Sequence, residues 1–103
     1  MTVFVSIGNS DDKLTQHEWA DFMSNVETTC LRFSRETFGA WASFPDRPFQ
    51  NACFAFEPID GNLHPLKHSL RILATLFDQD SIALVEGDVE FLTPHAEVAR
   101  ADE

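Results

Sequence analysis

Tyrosine is absent from this 103-residue chain, and glycine, cysteine and basic residues are scarce: four Gly, two Cys and seven Lys plus Arg. The shortage of cations excludes most. Against seventeen Asp plus Glu it leaves a formal net charge of −10. Phosphate backbones attract Lys and Arg and repel carboxylates, so general affinity for DNA, RNA or anionic membranes is not expected. The two cysteines, Cys30 and Cys53, stand in apolar surroundings and read as buried free thiols. No apolar run approaches the length of a membrane span. The start, Met1-Thr2-Val3-Phe4-Val5, lacks a basic region ahead of a long apolar stretch, so a cytoplasmic location is expected. No G-x-S-x-G, H-E-x-x-H, Walker loop or C-x-x-C occurs. The expectation is therefore a protein that is not an enzyme, with no catalytic residue, no metal and no cofactor.

What is present is a core-forming aromatic set. Ten Phe and two Trp sit within a 44% apolar composition, and large rings help a domain of this size offset its chain entropy. The length fits one domain. The expected limits are residues 1–93, followed by a flexible acidic tail over 94–103. Charge is uneven along the chain. From Ile72 onward Asp78, Asp80, Glu86, Asp88, Glu90, Glu97, Asp102 and Glu103 face a single Arg100, whereas the middle holds Arg32, Arg35, Arg47, Lys67 and Arg71.

Local patterns place the elements. Thr2 to Ile7 alternates like a strand, and Gly8-Asn9-Ser10-Asp11-Asp12 breaks it. Thr15-Gln16-His17-Glu18 is a capping box, with Leu14 and Trp19 at the spacing of a hydrophobic staple. The helix it opens carries an apolar stripe through Trp19, Phe22, Met23, Val26, Cys30 and Phe33, with Gly39 as its expected stop. Two short strands, Ala40 to Phe44 and Phe49 to Glu57, read as an antiparallel hairpin around Pro45-Asp46-Arg47-Pro48. Asn62 is placed as the cap of a second helix whose buried face is Leu63, Leu66, Leu70, Leu73 and Phe77. Ser81 to Val85 reads as a strand, and Val89 to Leu92 as a further short one after the Glu86-Gly87-Asp88 turn. The order β-α-β-β-α-β is the split βαβ arrangement. It predicts an α+β, ferredoxin-like sandwich with β1 central and both helices on one face of an antiparallel sheet, the other face open.

Three stretches could carry chemistry. The loop Gly8 to Lys13 enters a helix and offers backbone donors to an anion, yet turn chemistry accounts for every residue in it. The stripe His64, Lys67, His68 and Arg71 is the densest basic surface and could hold phosphate or carboxylate; it also reads as a solvated helix face. A His64–His68 zinc pair lacks a third ligand. The hairpin segment with Trp41, Phe44, Arg47, Gln50 and Asn51 mixes rings, a guanidinium and two amides, which suits recognition, while its rings could equally belong to the core.

Three segments, Ile7-Gly-Asn-Ser-Asp-Asp-Lys-Leu-Thr-Gln16, Gln50-Asn-Ala-Cys-Phe54 and Gln79-Asp-Ser-Ile-Ala-Leu-Val-Glu-Gly87, resemble those of small uncharacterised proteins of actinobacteria and their phages. The resemblance implies no activity; it points to an accessory, phage-associated protein. The expected function is a small acidic binding module, of anti-defence type, that occupies a host protein with a basic surface. The alternative is a binder that sequesters a small nucleotide signal, and the second alternative is a small uncharacterised enzyme. A homo-dimer or higher oligomer through the open sheet face is also expected.

Overall fold

Alternation decides the first strand. In β1, Thr2–Gly8, Val3, Val5 and Ile7 point into the core, while Phe4 and Ser6 point away from it. The computed structural model describes residues 1–9, 12–44 and 49–94. It gives six elements: β1, then α1 (Gln16–Arg32), β2 (Ser34–Ala42), β3 (Asn51–Pro58), α2 (His64–Leu76) and β4 (Ala83–Gly87). The fold is a mixed α+β domain with one four-stranded sheet in the order β2-β3-β1-β4, every neighbouring pair antiparallel. β1 thus lies between β3 and β4, and β2 and β4 form the two edges.

Both helices pack on one face. One hydrophobic cluster joins Val3, Val5 and Ile7 of β1 and Ala52, Phe54 and Phe56 of β3 to Trp19, Phe22, Val26 and Cys30 of α1 and Leu66 and Leu70 of α2. Phe22 is central to it: its ring meets Trp19 edge-on at 6.3 Å and lies tilted against Phe77 at 5.0 Å, so one ring bridges α1 to the end of α2.

α1 begins where its capping box places it. The Glu18 amide donates to the Thr15 hydroxyl at 3.2 Å, and the Thr15 amide donates to the Glu18 carboxylate at 3.0 Å. Its end differs from expectation. The helix stops at Arg32, with Phe33 as C-cap, and Ser34 to Gly39 belong to β2, so Gly39 is a strand residue and no helix stop. The segment Ser34-Arg-Glu-Thr-Phe is neutral in helix propensity, and pairing along β3 overrides it. That pairing needs two register shifts, at Ser34/Glu36 and Thr37/Gly39.

α2 starts one residue later than expected, with Leu63 as N-cap and no side-chain capping bond from it. Asn62 still serves the helix start, because its Oδ1 accepts from the His64 amide at 3.2 Å. Val89 to Leu92 forms no strand: the chain leaves β4 at Gly87 and runs on without pairing. No described helix is long and apolar enough to cross a membrane.

Candidate functional site: an open sheet face and an unfilled groove

The register identifies which side chains face away from the helices. Phe4 of β1 lies opposite Ala55 of β3 and Val85 of β4; Cys53 lies between Ser6 and Trp41; Gly39 lies opposite Ala55. All share the open face, because directly paired residues point the same way. Small residues (Gly39, Ala55, Cys53, Ser6, Ala83) alternate on it with larger ones. Trp41 is 56% exposed, and Phe4 and Val85 are also exposed. A Cβ placed on Gly39 would come within 2.9 Å of the Trp41 ring. The indole therefore lies down over the glycine, along the sheet, instead of standing into solvent. Glycine at 39 is what lets it approach. Arg35 pairs with Glu57 at 3.7 Å near the far end of β3 and donates to the Ile59 carbonyl at 3.0 Å.

The hairpin residues singled out from sequence divide sharply. Trp41 and Phe44 are exposed, and Phe49 beside them is exposed as well. Arg47 lies outside the described residues. Gln50 has no freedom to meet a ligand, contrary to its assignment as a recognition amide. It is 5% exposed, its Nε2 donates to Gln16 Oε1 at 2.8 Å, and its Oε1 accepts from Gln16 Nε2 at 3.1 Å and Asn9 Nδ2 at 3.2 Å. Buried amides find partners because an unpaired one costs its full desolvation. Asn51 helps close the hairpin: its amide donates to Ser43 Oγ and its Nδ2 to the Phe49 carbonyl.

The same economy explains the loop before α1. Asn9 is buried; its Oδ1 accepts from the Leu14 amide and its Nδ2 donates to the Leu14 carbonyl, both at 3.0 Å. Asn9, Gln50 and Gln16 together form a polar latch that ties the loop to β3 and α1, so Asn9 is structural. Ser10 and Asp11 lie outside the described residues.

On the helix side, Lys67 and Arg71 line a groove of about 820 Å³ between α2 and β4. Its apolar floor is Leu70, Ala74, Ile82 and Leu84, with Asp80 and Glu86 at its margins. His64 and His68 of the stripe are exposed on α2 but do not line it. Neither the Lys67 ammonium nor the Arg71 guanidinium has an acidic partner among the described residues, despite the excess of carboxylates. Trp41 belongs to β2 and the open face, whereas Lys67 and Arg71 stand above the opposite edge on the helix face. The aromatic segment and the basic stripe do not converge.

Nucleophile chemistry finds no foothold at Cys30. Burial, then the nearby Cys53 and Glu27 charges, pushes its thiol up to about 12, so it stays protonated near neutral pH. Among the described residues no three His, Cys, Asp or Glu side chains gather as a metal site.

The open-face residues Phe4, Gly39 and Val85 and the groove floor Ile82 and Leu84 were not singled out from sequence. The alternation of β1 carried the signal for Phe4, since Val3, Val5 and Ile7 claim the other face. The remaining positions depend on strand pairing, which sequence spacing does not reveal. No protein-family model matches this chain, and no curated protein matches it either.

Proposed function

We propose that the chain is a non-enzymatic binding module that occupies a protein partner bearing a basic surface, with the open sheet face as its contact. One observation carries this reading: on a face that mixes small residues with Phe4, Trp41 and Val85, those three side chains stay exposed and no described element packs over them. Rigid exposed rings on a flat floor are the composition of interface anchors. The net charge of −10 favours a cationic partner through steering and repels nucleic acid. The βαββαβ order with β1 between β3 and β4 supports reading the domain as a ferredoxin-like sandwich. An accessory, anti-defence role in phage or prophage is the biological setting the sequence resemblance favours. Sequestering a nucleotide would require a ring and cations around one ligand, and Trp41 stands apart from Lys67 and Arg71.

The test uses the single exposed indole. A bait of this chain is presented to host lysate at low salt, and the captured protein is identified and purified. Trp41→Ala should weaken its binding at least about 30-fold, as loss of an anchor does, with unfolding unchanged. Gly39→Ala should weaken it as well, because the ring must lift off the sheet. Binding insensitive to both substitutions would refute the open face as the contact.

A further inference from the structure

β4 is an edge strand, and its outer backbone edge has no partner among the described residues. Such an edge is a template for another strand. Beside it lies the α2–β4 groove, with Lys67 and Arg71 on its wall and without an acidic partner among the described residues. Directly after β4 comes Asp88-Val89-Glu90-Phe91-Leu92, which touches little: Phe91 is 85% and Leu92 86% exposed. A segment with this much apolar surface in water is a binding element without its site.

The two features match in chemistry and in period. Along β4, Val85 faces the open side, and Leu84 and Glu86 face the groove. Carrying that alternation onward puts Val89 and Phe91 on the side of Val85 and Asp88 and Glu90 on the side of α2. The acidic positions then lie on the face that carries Lys67 and Arg71, which have no acidic partner among the described residues.

We propose that β4 is the seam of a two-fold dimer, in which Asp88–Leu92 of each copy adds as a strand along the other copy's β4 and closes its α2–β4 groove. An antiparallel pairing about a two-fold axis near Gly87 sets the segment beyond β4 of one copy beside β4 of the next, reciprocally. The pairing brings Glu86, Asp88 and Glu90 of both copies together, and Lys67 and Arg71 of both copies offset that repulsion. The open sheet face stays free for another protein.

The experiment is sedimentation velocity on the full chain across a wide concentration range, with folding of every variant checked by circular dichroism. The wild type should dimerise, and Phe91→Glu should raise the dimer dissociation constant at least about 30-fold. Lys67→Glu with Arg71→Glu should weaken self-association, as should Asp88→Lys with Glu90→Lys. An equimolar mixture of those two double variants should recover a heterodimer, because each segment again meets opposite charge. A wild type that stays monomeric throughout would overturn the proposal, including one whose 88–92 amides are protected from exchange by folding back in cis. A dimer that survives Phe91→Glu but dissociates with Trp41→Glu would place the interface on the open face and overturn it too. So would a mixture that remains monomeric.

Discussion

The two helices lie side by side on one sheet, yet they are held in different ways. α1 enters through a reciprocal cap, is tied at its start by the Asn9–Gln50–Gln16 latch, and buries Trp19, Phe22, Val26, Thr29 and Cys30. α2 has no side-chain cap from its N-cap residue, buries only Leu66 and Leu70, and leaves a groove between itself and β4. The α1 side is closed by its own side chains. The α2 side has a groove with an apolar floor and, among the described residues, two cations without acidic partners and a strand edge without a neighbour. A small domain has limited stability to distribute, on the order of 5–10 kcal/mol, and binding surfaces come from the part that internal packing leaves unused. The self-association proposed above uses that α2–β4 side.

The comparison breaks hardest at Phe22, which is fully buried. Phe22→Ala should cost about 3–5 kcal/mol in urea denaturation and loosen both helices, since the ring also supports Phe77. Leu73→Ala on α2, half-buried against the same core, should cost only about 1–2 kcal/mol. Equal costs would mean that α2 is as firmly packed as α1 and that the groove closes in solution.

Next in size is the latch. Asn9→Ala removes both of the side-chain bonds to Leu14 and one to Gln50. It leaves the Leu14 amide without its acceptor, at a cost of about 2 kcal/mol. Amide exchange should rise first at Leu14 and the first turn of α1 while α2 is unaffected. A loss of protection that spreads evenly over both helices would erase the distinction between the two sides.

What the sequence disclosed follows the range of each interaction. The cap at Thr15, the stripe of α1 and the buried face of α2 are local, set by residues three and four apart, and they were legible. The α+β class and the antiparallel hairpin followed from element order. β2 was not legible at its start, because Ser34 to Phe38 carries no strand pattern of its own and is drawn into the sheet by β3. Gln50 looked like a recognition amide because its partners, Asn9 and Gln16, lie 41 and 34 positions away. Lys67 and Arg71 were visible as a basic stripe. The groove they line was not, since it depends on where β4 settles relative to α2. Val89 to Leu92 has a strand's composition and pairs with no strand among the described residues.

The smallest effects belong to the helix starts, and they sharpen the comparison through pH. Thr15→Ala removes the acceptor for the Glu18 amide and should cost about 1 kcal/mol, whereas Asn62→Ala at the α2 start should cost about 0.5 kcal/mol, the low end for such changes. The Thr15 amide, then its hydroxyl, hold the Glu18 carboxyl below its ordinary value. A carboxyl whose folded pKa is depressed binds protons more weakly folded than unfolded. Its contribution is therefore present above the unfolded value and lost as pH falls through the folded one. Denaturation midpoints across the acid range should show the Thr15→Ala deficit narrowing only by the part the hydroxyl lends to the carboxylate, because the Thr15 backbone amide still holds Glu18 in the variant. The Asn62→Ala difference should not narrow in this way, since its bond is between neutral groups, the Asn62 side-chain oxygen and the His64 amide. A Thr15→Ala deficit that vanishes in acid would show that the hydroxyl supports the helix start through the Glu18 carboxylate and not through its bond to the Glu18 amide.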